Sequence, residues 1–98
     1  MSYTLGIDIG TTNVKSVLFG EGPRAVADAS YEYPTTFPAP SWAQQNPEHW
    51  WEGAKATIRS VLSQSGIDPA DIKAVAISCQ SPCALLVDRN GNPLHDAL

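Results

Sequence analysis

The residues best suited to chemistry lie near the start of the chain, in GIDIGTTNVKSVLF, residues 6–19. A carboxylate, Asp8, sits on a short apolar run and is followed almost at once by Gly10, Thr11 and Thr12. An acidic side chain on such a strand needs a partner if it faces inward, because an isolated buried charge is costly. The turn that follows gathers backbone N–H groups from Gly10, Thr11, Thr12 and Asn13 together with two hydroxyls, a concave donor set suited to phosphate oxygens. Lys15 adds a positive charge close by. A Mg²⁺ ion held by Asp8 through water would supply the missing partner, since hard oxygen ligands and retained water are how that ion is bound beside nucleotide phosphates. The plainer alternative is a hairpin turn whose threonines satisfy their own backbone while Asp8 points at solvent.

The elements that must position these groups follow from the apolar pattern. Residues 4–9 and 14–19 read as strands joined by the Gly-Thr-Thr turn, and Arg24 to Tyr33 alternates as a third, mostly solvated strand, which predicts an antiparallel meander. Residues 34–47 carry four prolines with Trp42, Gln44, Gln45 and Asn46, and so predict an ordered but irregular surface loop. Asn46 is a good N-cap, Pro47 suits the first helical position and Glu48 favours the positive end of the dipole. A helix over 47–64 is predicted, with Trp50, Trp51, Ala54, Ile58, Val61 and Leu62 on its packing face and Gly66 ending it. The apolar run from Ile72 to Ser78 reads as a central strand buried on both faces, and residues 84–98 read as strand, Asn-Gly turn, strand. The order predicts a mixed sheet, its last long strand parallel to its first through a right-handed crossover, with the helix on one face.

Composition narrows the function classes. With 98 residues, 43% of them hydrophobic, the chain can build one core but not two lobes closing on a nucleotide. Six Lys and Arg and a net charge of −4 leave no basic stripe, so a nucleic-acid partner is not expected. No leader-like opening and no apolar run of roughly 18 residues is present, which predicts a cytoplasmic protein without a membrane partner. Cys79 and Cys83 are expected to be reduced, with structural or pocket-lining roles. His49 and His95 lack the neighbouring ligands of a metal site. Trp50 and Trp51 read as packing residues, Trp42 and Gln45 as either cleft or loop-anchoring residues, and Asp88 as a turn residue.

LGIDIGTTNVKSVLF resembles the phosphate-binding opening of the actin, Hsp70 and sugar-kinase superfamily. Three later segments narrow the resemblance to the FGGY carbohydrate kinases, with xylulose kinases the nearest subgroup: WAQQNPEHWW at 42–51, IKAVAISCQSP at 72–82 and ALLVDRNGNPLHDAL at 84–98. The resemblance implies a ribonuclease H-like α/β domain and transfer of the ATP γ-phosphoryl group to a sugar or polyol hydroxyl. It further implies that Asp8 is associated with Mg²⁺, that Gly10, Thr11, Thr12, Asn13 and Lys15 face the transferred phosphate, and that Gln80, Ser81 and Pro82 contact the acceptor. Where many xylulose kinases have Met-His and glycerol kinases Arg-Glu, this chain has Ser81-Pro82, with one hydroxyl and no charge. The catalytic aspartate, the second phosphate loop and the adenosine pocket are implied to lie beyond residue 98. The chain is therefore expected to be the N-terminal portion of the first domain, inactive by itself and prone to self-association through uncovered apolar surface. Two other classes remain open at this point: a non-catalytic actin- or Hsp70-like nucleotide-binding domain, and an interaction domain that pairs through an exposed sheet edge.

Overall fold

The computed structural model describes residues 1–22, 24–81 and 83–98. Pro82, expected at the acceptor site, lies outside the described residues. Four strands form one sheet in the order β3-β2-β1-β4: β1 (Tyr3–Ile9), β2 (Asn13–Phe19), β3 (Ala25–Glu32) and β4 (Ile72–Cys79). β1 and β2 pair antiparallel with Asp8 opposite Lys15, and β2 pairs antiparallel with β3. β4 lies parallel to β1, with Asp8 opposite Ser78 and Ile9 opposite Cys79. The mixed sheet and its meander are as the sequence predicts.

The helix α1 (Pro47–Ser65) starts and stops on the signals read above. The Asn46 side chain accepts the Glu48 N–H at 3.0 Å, and Gly66, at φ 67°, donates its N–H to Leu62 O. One face of α1 packs over β2 and β3, where Val14, Leu18 and Val61 are completely buried beside Leu5, Ile7 and Ala27. Gly53 permits this close seating: a Cβ there would stand 2.9 Å from both Val14 Cγ2 and Tyr31 Cδ1. Within the interface Thr57 donates its hydroxyl to Gly53 O at 2.8 Å, so its single proton is taken. The 2.8 Å contact between the Ser16 and Thr57 hydroxyls is therefore a donation from Ser16.

Three expectations need correction. Trp51 is not on the packing face: it is 61% exposed, with Lys55 Nζ 5.5 Å above its ring. Trp50, Ala54, Ile58 and Val61 pack on the core as expected, and Gly53 and Thr57 are buried with them. β4 is not a buried central strand but an edge strand open on both sides, with Val75 55% and Ile77 65% exposed, because α1 covers the β2–β3 half of the sheet. The C-terminal hairpin turns as predicted but forms only an isolated bridge, Val87 to Pro93, rather than two ladder strands. Gly91, at φ 83°, closes the turn, and Asp88 Oδ1 accepts the N–H groups of Asn90 and Asn92 at 2.8 and 2.9 Å. Those bonds, Asn92 foremost, hold the Asp88 carboxyl below its ordinary value, as befits a turn residue.

Candidate phosphate and acceptor site

The bend between β1 and β2 is held by its carbonyl oxygens. Thr11 O accepts from Gln45 Nε2 at 2.7 Å, Thr12 O accepts from the Tyr33 N–H at 3.0 Å, and Gly10 O accepts from the Tyr33 hydroxyl. The Gly10 N–H is itself taken, donating to Asn13 O at 2.9 Å, so Gly10 does not contribute the free donor expected of it. The N–H groups of Thr11 and Thr12 have no acceptor among the described residues, and both residues are exposed. Tying down the carbonyls of successive peptides while leaving their amides free is what converts a turn into an anion cradle.

The bend and Gln80 share one cavity of about 340 Å³, lined by Thr11, Thr12, Gln45, Gln80 and Cys83 among others. Gln80 stands at the end of β4, where its N–H continues the parallel ladder to Ile9 O at 2.9 Å, and this brings it beside the bend. Ser81 is exposed and does not line that cavity.

Asp8 and Lys15 belong to the other side of the bend. Both are exposed and border a groove of about 310 Å³ on the sheet face away from α1, together with Gly6, Phe19, Ala76 and Ser78. Asp8 is thus not a buried charge seeking compensation. Its alternation in β1 sends it to the open face, where Oδ1 accepts from Ser78 Oγ at 2.7 Å. Oδ2 has no partner among the described residues and reaches back toward the bend, 3.8 Å from where a Gly10 Cβ would be. Asp8 and Lys15 are cross-strand neighbours without a direct ion pair among the described residues. Burial first, and then the negative charge of Asp8, push the Tyr33 phenol above its ordinary value, keeping it a proton donor to the bend.

Two contributors escaped the sequence reading, and a third was left open between two roles. Tyr33 gave no signal beyond an aromatic ending a strand, yet it is buried and clamps two peptides of the bend. Ser78 could have been found from the parallel register that sets it opposite Asp8. Gln45, weighed as cleft or anchor, is an anchor: it is 7% exposed and its side chain bonds Thr11, Thr35, Trp50 and Gln80.

A sequence model of the N-terminal domain of the FGGY family of carbohydrate kinases matches residues 3–98. Curated relatives include glycerol kinases from Brucella ovis, 37% identical over 97 residues, and from Paracidovorax citrulli, 36% identical over 99. The matches cover 98% and 100% of this chain, and the chain spans 20% of the length of each relative. Among solved structures, a xylulose kinase from Brucella ovis superposes with a TM-score of 0.92 at 27% identity, over 98% of this chain and 20% of that one. The mixed sheet and the helix agree with the sugar-kinase fold that the sequence predicts, and the chain belongs to the FGGY family of carbohydrate kinases.

Proposed function

We propose that this chain is the N-terminal portion of the first domain of an ATP-dependent carbohydrate kinase, which transfers the γ-phosphoryl group to a hydroxyl of a sugar or polyol. The observation that carries the reading is the pair of unclaimed amides at Thr11 and Thr12, opening on the same cavity as Gln80. Those amides receive oxygens of the terminal phosphate, Asn13 holds the bend closed through its carbonyl, and Lys15 adds positive potential from the adjoining strand. Gln80 borders the acceptor, with Ser81 following it in the chain. Phosphoryl transfer asks the protein chiefly for positioning and charge stabilisation, which fixed backbone donors provide without reorganising.

The donor set at Asp8 fits Mg²⁺: a single exposed carboxylate, one oxygen engaged by Ser78 and the other unpartnered among the described residues, is enough for an ion that keeps several waters. When bound, that ion supplies neutralisation of the β- and γ-phosphate oxygens. The base that orients the acceptor hydroxyl is assigned to none of these residues and is expected elsewhere in the full-length enzyme. The acceptor is a short polyol or ketose. D-Xylulose is favoured by the structural likeness, and glycerol competes because the curated relatives above are glycerol kinases. The family match counts against the actin- or Hsp70-like alternative.

The test is steady-state ADP release by the full-length protein with Mg·ATP across polyols and ketoses from glycerol to D-xylulose. Acceptor-dependent turnover that drops about 100-fold or more in Asp8→Asn supports the reading, on the scale expected for losing an electrostatic contact to the reacting phosphates. ATP hydrolysis indifferent to every acceptor refutes it.

A further inference from the structure

The Gln45 carboxamide has every hydrogen-bonding position filled. Its two N–H groups go to Thr11 O at 2.7 Å and Thr35 Oγ1 at 2.9 Å. Its oxygen takes the Trp50 indole N–H at 2.9 Å and Gln80 Nε2 at 2.7 Å. An indole N–H can only donate and a peptide carbonyl can only accept, so the amide has one orientation. Turning it over would set N–H against N–H at Trp50 and oxygen against oxygen at Thr11. The constraint passes on to Gln80, which must offer its N–H side to Gln45. The carboxamide oxygen of Gln80 is then left over: it has no partner among the described residues, is not among the buried unpartnered atoms, and belongs to a residue lining the cavity.

We infer that Gln45 is a positioning residue tying the phosphate-facing bend to the acceptor side of the cavity, and that Trp50 and the Thr11 carbonyl, acting through Gln45, fix Gln80 as a hydrogen-bond acceptor toward substrate. The group recognised there is a hydroxyl that donates its proton. A substrate carrying fluorine or a keto oxygen at that position is refused, because it brings an acceptor to an acceptor. The inference rests on the reading of this cavity as the acceptor pocket.

The test has two arms, both on the full-length protein. The first needs no ligand and compares thermal unfolding of Gln45→Glu and Gln45→Leu with wild type across pH. The ionised carboxylate of the Gln45→Glu variant has no proton for Thr11 O, whereas its protonated acid restores that donation with an O–H, and the Thr35 hydroxyl then turns to donate rather than accept. Cys83 is the one titratable side chain among the described residues lining the cavity, so no cation holds the carboxylate ionised. Burial therefore raises its pKa above the ordinary value of about 4.3. The Gln45→Glu deficit closes as pH falls through that raised value, while the Gln45→Leu deficit persists at every pH. Parallel deficits would overturn the clamp.

The second arm uses whichever of glycerol or D-xylulose turns over, with each hydroxyl replaced in turn by hydrogen or by fluorine. The position whose replacement ceases to matter in Gln80→Leu is the one Gln80 reads. There, hydrogen and fluorine both lower kcat/KM of the wild type by about tenfold, one hydrogen bond's worth. Gln45→Leu removes the group that holds Gln80, lets the Gln80 amide turn over and restores tolerance of fluorine. Fluorine accepted by the wild type, or discrimination unchanged in Gln45→Leu, overturns the relay. If no acceptor turns over, the functional reading fails separately and the thermal arm still decides the clamp.

Discussion

Replacing Tyr33 with Phe removes one hydroxyl from the clamp on the β1–β2 bend and leaves the rest in place. That hydroxyl donates to Gly10 O and stands 3.2 Å from Asn13 O. Asn13 O keeps the Gly10 N–H, whereas Gly10 O has no second donor among the described residues. The ring, 7% exposed, continues to pack, and the backbone bond from the Tyr33 N–H to Thr12 O survives. The loss is therefore one hydrogen bond with its carbonyl left unpaired, about 1–2 kcal/mol. If the bend is the phosphate cradle, nucleotide binding must re-order it, and the KM for ATP in the full-length enzyme rises by about 5- to 30-fold, the same energy as a ratio. The acceptor KM changes less, because Gln45 keeps its bonds to Thr35 and Trp50 outside the bend. Urea unfolding gives the stability loss and initial rates give the two KM values. A stability loss without a change in the KM for ATP would mean that the bend does not hold nucleotide. Alkaline titration adds a sign. Because the folded phenol is raised above its ordinary 10.0, its contribution is complete below the unfolded value and lost as pH rises through the folded one. Wild type thus loses alkaline stability that Tyr33→Phe does not.

The remaining predictions concern the seating of α1, which carries Trp50 against the site. Thr57→Val strands the Ser16 hydroxyl in a completely buried place and costs about 1–3 kcal/mol, whereas adding Ser16→Ala recovers most of it. A double-mutant cycle by denaturant unfolding that is strictly additive would contradict the coupling of the two hydroxyls. Gly53→Ala gains about 1 kcal/mol of helix propensity but drives a methyl to 2.9 Å from Val14 and Tyr31. Overpacking at about 1–3 kcal/mol outweighs the gain, and a variant melting above wild type would refute that ordering.

Much of the architecture was legible because local rules decided it. Alternation set β1 to β3, and Asn46, Pro47 and Gly66 bounded α1 nearly to the residue. β4 misled because an apolar run reports what a strand could bury, whereas burial depends on what lies across it, and α1 sits over the other half of the sheet. The bend was legible from Gly10, Thr11 and Thr12, which interrupt the apolar pattern between two strands. Its clamp was not, because Tyr33 and Gln45 reach it from 20 or more residues away and their types carry no trace of the partner. Asp8 and Lys15 lie on the open face by strand parity, whereas Gln80, of the same parity as Ser78, lines the other cavity because it stands past the end of β4, which the Gly-Thr-Thr motif alone does not reveal.

The most direct test is amide hydrogen exchange at Thr11 and Thr12 in the full-length protein, alone and with Mg²⁺ plus either ADP or a non-hydrolysable ATP analogue. Both N–H groups should exchange freely in the unliganded protein and become protected by the triphosphate far more than by the diphosphate. Exchange unaffected by the triphosphate, or already slow without it, would contradict the assignment of this bend to the terminal phosphate.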